Sequence, residues 1–271
     1  MDFSKVGGQI ANYQNLTNHY FDQMNQVLTV GARSQEMNFQ EMVDGSGINS
    51  VMSENLSVSM KQGVIKDTKN PTHMALEGQG FFVVSDGNNV KYTRAGEFKF
   101  NETGTLVNPD GLSVQGFQLD EKGNRSGDPV NISLPLDPKT KLYGGKYTNF
   151  EVDNTGKVYG VSTITHPLTG QKLTQKTAIY QVAVANFSDP TSLKASGKSS
   201  FVATDKSGQA VMGVSGEGSL GKICPHSLEM SNVDTVAMTM KAIEAKTAYN
   251  SSFAVFKTME KMTQMAMQLI R

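Results

Sequence analysis

The sequence predicts an α+β protein in which an antiparallel all-β body is carried between two helical termini. Glycine is frequent from Gly45 to Gly221 and absent after it, and apolar residues recur at helical spacing near both ends. Alternating apolar residues bounded by turn residues fill the middle. We therefore expect paired, coiled-coil-like helices in residues 1–44 and 227–271. A β-rich body is expected in 45–226, with two subdomains split near 120–141.

The first predicted element is a helix from Gln9 to about Arg33. Its apolar residues recur at steps of three and four, which places them on one face. They are Tyr13, Leu16, Tyr20, Met24 and Val27. Because this seam is short and partly polar, the helix would be marginal alone and needs a packing partner.

Short hairpins are predicted in the middle of the chain. GFFVV (80–84) is expected to pair with VKYTR (90–94) across the turn at Asp86 and Gly87, and EFKFN (97–101) with TLVN (105–108). Gly104 and Gly111 fit hairpin positions that require a positive φ. Further strands are predicted in LSVQGFQL, FEVDNTGKVYGV, YQVAVANF and SFVATDKSGQAVMGV.

A long helix is predicted from Val233 to Arg271, about 58 Å in length. Ser231 followed by Asp234 resembles a capping box at its start. Its apolar seam is expected at Val236, Met240, Ile243, Val255, Met259, Met262, Ala266 and Leu269. Such a seam needs a partner. The candidates are the N-terminal helix and other copies of the chain, and the alternative is that both helices pack on the β body as one globule.

Charge and composition exclude several classes of protein. The chain has 25 basic and 25 acidic residues and no basic patch, so neither nucleic acid nor an anionic membrane is an expected partner. No segment reaches the roughly 18 apolar residues of a membrane span, and the N-terminus lacks the apolar core of a cleaved signal peptide. The single cysteine, Cys224, cannot form an internal disulfide.

The stretch GEGSLGK (216–222) imitates a phosphate-binding loop. A phosphate-binding role is not expected, because Ile223 has no hydroxyl to bind magnesium and Pro225 interrupts any helix that would follow. The neighbouring segments are also predicted hairpins. We predict instead a flexible glycine joint at the exit from the β body, with Lys222 in solvent. A nucleotide-binding enzyme using this loop is an unfavoured alternative.

No other group of residues predicts an enzyme, a cofactor site or a metal site. The four histidines are scattered, and none lies three to five residues from another His or Cys. They are His19, His73, His166 and His226.

Three stretches, LEGQGFFVV (76–84), YTRAGEFKFNETGTLVNPDGLSVQGFQL (92–119) and LEMSNVD (228–234), carry a resemblance to a known family. Together they resemble the bacterial flagellar basal-body rod and hook proteins. The family motif is carried by Gly78, Gly80, Phe81, Phe82, Tyr92, Thr93, Arg94, Gly96, Ser231, Asn232, Val233 and Asp234. At the N-terminus, NQVLTVGAR (25–33) keeps Asn25, Thr29 and Gly31 of the family pattern but has Ala32 in place of an aromatic residue.

The resemblance implies a structural subunit, most like a distal rod protein, that is not an enzyme. Its terminal helices would pair into an inner layer, its β domain would form an outer layer, and its copies would stack into a hollow tube that transmits motor torque. Implied partners are further copies, other rod, hook and ring proteins, and the type III export apparatus, which exports without a cleaved signal. The alternatives are a short hook subunit, a proximal rod protein and, in another class, a β-rich surface adhesin.

Overall fold

Two long helices flank a run of short strands along the chain. The computed structural model describes residues 3–41, 52–120, 122–135, 137, 142, 144, 146–165, 172–197 and 199–269. The helices are α1 (Phe3–Asn25) and α2 (Thr235–Leu269). The strands are β1 (Gln35–Glu41), β2 (Met52–Val58), β3 (Ile65–Asp67), β4 (Met74–Glu77), β5 (Phe81–Ser85), β6 (Val90–Thr93), β7 (Lys99–Phe100), β8 (Leu106–Val107), β9 (Ser113–Leu119), β10 (Arg125–Asn131), β11 (Asn149–Val152), β12 (Lys157–Thr165), β13 (Lys172–Val182), β14 (Val184–Asn186), β15 (Lys194–Ala195), β16 (Ser200–Val202), β17 (Val211–Gly213), β18 (Lys222–Pro225) and β19 (Ser227–Glu229).

The described residues divide into two compact units. The first contains α1, β1, β2 and α2; the second contains Leu28–Arg33 and the chain from Met60 to Asn232. The predicted boundary after residue 44 lies outside the described residues, and the division into two units does not test the predicted split near 120–141. The predicted three-part division therefore stays a prediction.

The second unit is the antiparallel β body that the sequence predicts. Its largest sheet has the order β11-β12-β13-β9-β5-β6-β16-β15, and every recorded strand pair is antiparallel. The hairpin of β5 and β6 is confirmed, with Ser85 opposite Val90. Its turn is closed by the Asp86 carboxylate, which accepts backbone N–H bonds from Asn88 and Asn89 at 3.0 and 2.7 Å.

A second predicted hairpin, between β7 and β8, is also confirmed. Lys99 lies opposite Val107. Gly104 has a φ of +77°, and a Cβ there would clash with the backbone carbonyl of Leu134. Gly111 likewise has a φ of +81°. Both glycines therefore adopt the left-handed conformation that their hairpin positions predict.

The two phenylalanines that begin β5 point to opposite faces of the sheet, as strand geometry predicts. Phe82 packs edge-on against Phe98 at 5.3 Å inside the main apolar core. Phe81 packs on the other side against Phe187 and Phe201, at 6.1 and 5.8 Å. Both are buried within the chain. Each contributes about 1.5–3 kcal/mol by removal from water.

In the first unit, the helix ends and one hairpin differ from the prediction. Helix α1 ends at Asn25 instead of continuing to Arg33, because the chain then tightens into turns and reaches Gly31 at a φ of +65°. Strands β1 and β2 pair antiparallel in a hairpin that the sequence analysis missed. The alternation within QEMNFQE is the local signal for it.

Helix α2 begins later than predicted. Its N-cap is Asp234, whose carboxylate accepts the N–H groups of Val236 and Ala237 at 2.9 and 3.1 Å. The predicted capping box led by Ser231 is therefore wrong, because Asp234 satisfies the free amides one turn later. From Thr235 to Leu269 the helix is about 52 Å long. Neither described helix has a stretch apolar enough to span a membrane.

Candidate functional site

The first unit is held together by apolar contact between α1 and α2. Tyr20 on α1 is buried in one cluster with Met238, Ala242 and Ala245 on α2. The two alanines are small, which allows the helix backbones to approach closely at this point. Burial raises the pKa of the Tyr20 hydroxyl. The other α1 side chains packed against the cluster are Leu16, Met24 and Val27.

Polar contacts fix the chain that follows α1 within the same unit. The side-chain oxygen of Gln23, which is buried, accepts the backbone N–H of Gln35 at 2.9 Å. His19 Nε2 lies 3.2 Å from the carbonyl oxygen of Gln35. Lys241 of α2 pairs with Glu36 at 3.5 Å on the surface. The start of β1 is therefore tied to both helices.

The opposite face of α2 exposes a second apolar stripe, called here the outer face. It begins with Val236, Met240 and Ile243, which are 70%, 59% and 61% exposed. At about 100° per residue, Met240 lies about 160° around the helix from the buried Met238. After an intervening stretch in which the same side of the helix carries Thr247, Ser251 and Thr258, exposed apolar residues recur near its end at Met262, Met265 and Leu269. Helix α2 thus has two apolar faces, and α1 covers only one.

The predicted helix-packing residues therefore fall into two groups. Tyr20 is buried, and Tyr13 and Met259 are half-buried. Val255 and Ala266 are exposed, as are the outer-face residues. Val236, Met240 and Ile243 point away from the side of α2 that α1 covers, and packing of these residues between subunits stays a prediction.

A buried ionic cluster, called here the Glu229 cluster, lies in the second unit. Glu229 Oε1 is 2.8 Å from Arg33 Nη2, and Glu229 Oε2 is 3.3 Å from Arg94 Nη1. All three side chains are at most 4% exposed. The backbone N–H of Gly63 also donates to Glu229 Oε1 at 2.8 Å. One carboxylate therefore bridges two arginines from segments far apart in sequence.

Backbone carbonyl groups accept further hydrogen bonds from the arginines, although among the described residues the buried Nε atoms of Arg33 and Arg94 have no partner. Arg94 donates to the carbonyl oxygens of Leu76 and Gly78, at 3.0 and 2.6 Å, and its guanidinium lies over the Phe81 ring. Arg33 donates to the carbonyl oxygen of Lys61. Burial lowers the pKa of Arg94 to about 10, against the opposing attraction of Glu229. Arg94 therefore stays charged at neutral pH.

Backbone contacts around the Glu229 cluster fix the segments that follow α1 and precede α2. The N–H of Gly31 donates to the carbonyl oxygen of Glu229 at 2.8 Å, and the N–H of Asn232 donates to that of Ala32 at 3.3 Å. A Cβ at Gly31 would clash with the backbone of Ala95. The buried Ala32 thus sits in a turn held by main-chain bonds, where the family pattern has an aromatic residue.

Among the family-motif residues, Arg94 belongs to this cluster and contacts Gly78 and Phe81. Val233 instead packs with Tyr20, and Asp234 caps α2. Gly78 and Gly80 have φ values of +101° and +117°, and a Cβ at Gly96 would clash with the Met74 carbonyl. The Thr93 hydroxyl donates to the Ser199 carbonyl oxygen at 2.7 Å. Tyr92 packs edge-on against Phe187 at 4.7 Å, while Asn232 donates to the Lys61 carbonyl oxygen at 2.6 Å. The sequence analysis quoted Arg33 and Glu229 but missed their ion pair.

The GEGSLGK loop is not the flexible joint that the sequence predicts. It closes on itself through the Gly216 N–H, which donates to the Gly221 carbonyl oxygen at 3.0 Å. The Gly221 N–H donates to the Gln79 carbonyl oxygen at 2.7 Å. The chain then re-enters the body, because Lys222 begins β18 and pairs with Glu77 of β4. Lys222 is exposed, as predicted, but a strand and not a helix follows the loop.

The histidines and the cysteine make ordinary polar contacts. His73 Nδ1 lies 2.9 Å from the Thr68 hydroxyl, and the Cys224 thiol donates to Glu77 at 3.8 Å. His166 lies outside the described residues. Within the described part of the chain, no three His, Cys, Asp or Glu side chains are grouped as a metal ion would require.

These features define a structural class of protein: a β body that fixes the segments beside two terminal helices, one of which exposes an apolar face. Two families match. Residues 75–160 match "Flagellar hook protein FlgE/F/G D1 domain", and residues 225–269 match "Flagellar basal body rod FlgEFG protein C-terminal". The first match covers the strands around Gly78, Gly80 and Gly96, and the second covers Glu229 and α2.

Individual relatives agree with the family matches. The flagellar basal-body rod protein FlgG of Caulobacter vibrioides is 29% identical over 77% of this chain and 68% of its own length. FlgG of Bacillus subtilis is 25% identical over 99% of this chain and 98% of its own length. The flagellar hook protein FlgE of Treponema pallidum is 27% identical over 51% of this chain and 35% of its own length. The chain belongs to the bacterial flagellar rod and hook protein family.

Proposed function

We propose that the chain is a structural, non-enzymatic subunit of the flagellar axial structure, distal-rod-like, whose copies assemble into a hollow helical tube that transmits motor torque. The observation that carries the proposal is the outer face of α2. Val236, Met240 and Ile243 are each more than half exposed in the single chain. A contiguous apolar face of this kind marks a site of association.

Helix α1 does not cover the outer face of α2. It already packs on the Met238, Ala242 and Ala245 side of α2. Burying an exposed Ile or Met side chain is worth about 1.5–3 kcal/mol, so several such residues together favour a partner strongly. Another copy of the same helix pair offers a matching apolar surface.

We infer that the surface that receives the outer face on the next copy differs from the outer face itself, which makes the contacts between copies heterologous. Heterologous contacts that do not close into a ring generate a helical filament. We infer that α1 and α2 form a coiled-coil-like inner layer and that the β body forms an outer layer.

The rod is favoured over the hook by the extent of the matches. The Bacillus subtilis rod relative is covered over 98% of its length, whereas the Treponema pallidum hook relative is covered over 35%. The location that follows is the flagellar basal body, in the periplasm and cell envelope. The partners inferred with it are other rod, hook and ring proteins, and the type III export apparatus.

The proposal is tested by placing a charge on the outer face. Ile243→Glu is expected to abolish polymer formation by the purified chain, because a carboxylate would be buried without a partner at each contact. Lys246→Glu is the matched control, since Lys246 is an exposed helical position outside the apolar stripe. Sedimentation and electron microscopy measure the polymer, and circular dichroism checks that both variants stay folded.

The expected result is loss of polymer in the Ile243 variant and retention in the Lys246 variant. Normal polymer from the folded Ile243 variant contradicts the proposal. Equal loss in both variants also contradicts it, because the effect would then not depend on the outer face.

A further inference from the structure

Methionine is concentrated on α2 to a degree that apolar packing alone does not require. Seven of the 15 methionines lie between Met230 and Met267. On the outer face, Met240, Met262 and Met265 are 59%, 61% and 56% exposed. Leucine would supply a similar apolar area there. Methionine differs from leucine in its thioether sulfur, which can be oxidised.

Met240, Met262 and Met265 lie in one angular sector of α2, whereas Met267, which is 60% exposed, lies on the opposite side of the helix. Met262 lies 22 residues after Met240, which at about 100° per residue places it about 40° away around the helix. Met265 lies within about 20° of Met240 by the same geometry. The same chain supplies buried references, because Met238 is 5% exposed and Met74 is fully buried. An oxidant in solution therefore reaches the outer face well before it reaches the cores.

The chemistry is an oxygen transfer from a peroxide. The thioether sulfur attacks one oxygen of hydrogen peroxide, an S–O bond forms, and the O–O bond breaks. The departing hydroxide takes up a proton and leaves as water. Sulfur loses two electrons and the peroxide gains them. The product, methionine sulfoxide, is polar and chiral, and it disrupts apolar contacts.

We propose that the outer face of α2 is a methionine oxidation site that controls assembly: peroxide converts Met240, Met262 and Met265 to sulfoxides in the unassembled chain, which then cannot polymerise until they are reduced. The inference rests on the proposed function, because only assembly gives the outer face a partner. Once copies pack together, the same contacts shield the sulfurs. The switch therefore acts on subunits before incorporation and spares the finished polymer.

The experiment treats the full-length chain with dilute hydrogen peroxide, maps sulfoxides by mass spectrometry over time, and measures polymer by sedimentation. We expect Met240, Met262 and Met265 to oxidise at least about tenfold faster than Met238 and Met74, following their exposure. We expect oxidised subunits to lose polymer formation, and preformed polymer to resist oxidation at these sites. Treatment with both methionine sulfoxide reductases, one for each epimer, should restore assembly.

Two variants make the assignment specific. The triple variant Met240→Leu, Met262→Leu and Met265→Leu keeps the apolar face but should polymerise equally well before and after peroxide. Cys224→Ser removes the single cysteine and should remain as sensitive as the natural chain. If the triple variant cannot assemble even untreated, reductase rescue of the natural chain decides the matter.

The inference is overturned if oxidised natural subunits polymerise normally, if reductases fail to restore assembly, or if Met238 oxidises as fast as Met240. These outcomes leave the proposed function standing. Absence of polymer from the untreated natural chain instead refutes the proposed function, and this inference falls with it.

Discussion

The two units of the chain differ in how fully they bury their large apolar side chains. In the β body, Phe81 and Phe82 are both buried, and the charged Glu229 lies between two arginines. In the helical unit, α2 buries Met238 but leaves Met240, two residues later, 59% exposed. The aromatic core and the Glu229 cluster of the body are buried within one chain, whereas one apolar face of α2 stays exposed.

The difference separates residues that fold the subunit from residues that connect subunits. The family motif belongs to the first kind, because its glycines permit close backbone approach and Arg94 takes part in a buried ion cluster. We propose that the outer face of α2 belongs to the second kind. Substitutions in the two regions should therefore affect different measurements, namely the stability of the monomer and the extent of assembly.

The largest expected effect comes from breaking the Glu229 cluster. Glu229→Gln removes the carboxylate that bridges Arg33 and Arg94, which leaves two buried guanidinium groups without their anion. We expect a loss of about 3–5 kcal/mol in the free energy of unfolding, measured with denaturant. The control is Glu217→Gln, which removes an exposed pair with Arg125 and should change little. Similar small effects in both variants would contradict the assignment.

A matched pair of methionines compares the two faces of α2. Met238→Ala should destabilise the helical unit by about 2–5 kcal/mol, because it leaves a cavity against Tyr20. Met240→Ala should stay within about 0.5 kcal/mol, because its side chain is exposed in the monomer. Thermal unfolding followed by far-UV circular dichroism measures both losses. Equal losses would contradict the assignment of one packed and one exposed face to α2.

The N-cap of α2 gives a smaller effect. Asp234→Ala removes the acceptor for the Val236 and Ala237 amides and should cost about 1 kcal/mol of stability. Glu244→Ala, a later exposed carboxylate on the same helix, serves as the control. The comparison is made by denaturant titration of helical circular dichroism. If both variants lose the same stability, the assignment of Asp234 as the N-cap of α2 is wrong.

The smallest effect is a pH dependence in the β body. Desolvation lowers the pKa of His73, despite the nearby Glu97 carboxylate. The unfolded chain therefore takes up the proton first as pH falls below the ordinary value of about 6.5, and stability falls with it. Between pH 7.5 and 5, the melting temperature of the natural chain should decrease more than that of His73→Gln. An identical decrease would assign the effect to other groups.

Much of the β body could be predicted because its signals are local. Asp86 and Gly87 specify one hairpin, and Gly104 specifies another through its positive φ. The Glu229 cluster could not be predicted in the same way, because Arg33, Arg94 and Glu229 come from distant segments that only the fold brings together.

The helices show a different limit. Spacing identified an apolar seam on α2, but the chain packs its other face, where Ala242 and Ala245 give a weak hydrophobic signal and allow close approach. The GEGSLGK loop was misread because its glycines suit a tight turn as well as a flexible joint. In both cases the local pattern is present in the sequence, but the residues that contact it, those of α1 and Gln79, lie far away along the chain.

We propose that copies of the chain assemble through the outer face of α2, while the core of the β body forms within each single chain. Hydrogen–deuterium exchange of the full chain, measured before and after assembly, tests it most directly. The account predicts that amides from Val236 to Leu269 gain strong protection in the polymer, while those of β5 in the body core stay unchanged. Protection gained in β5, with none gained in α2, would contradict it.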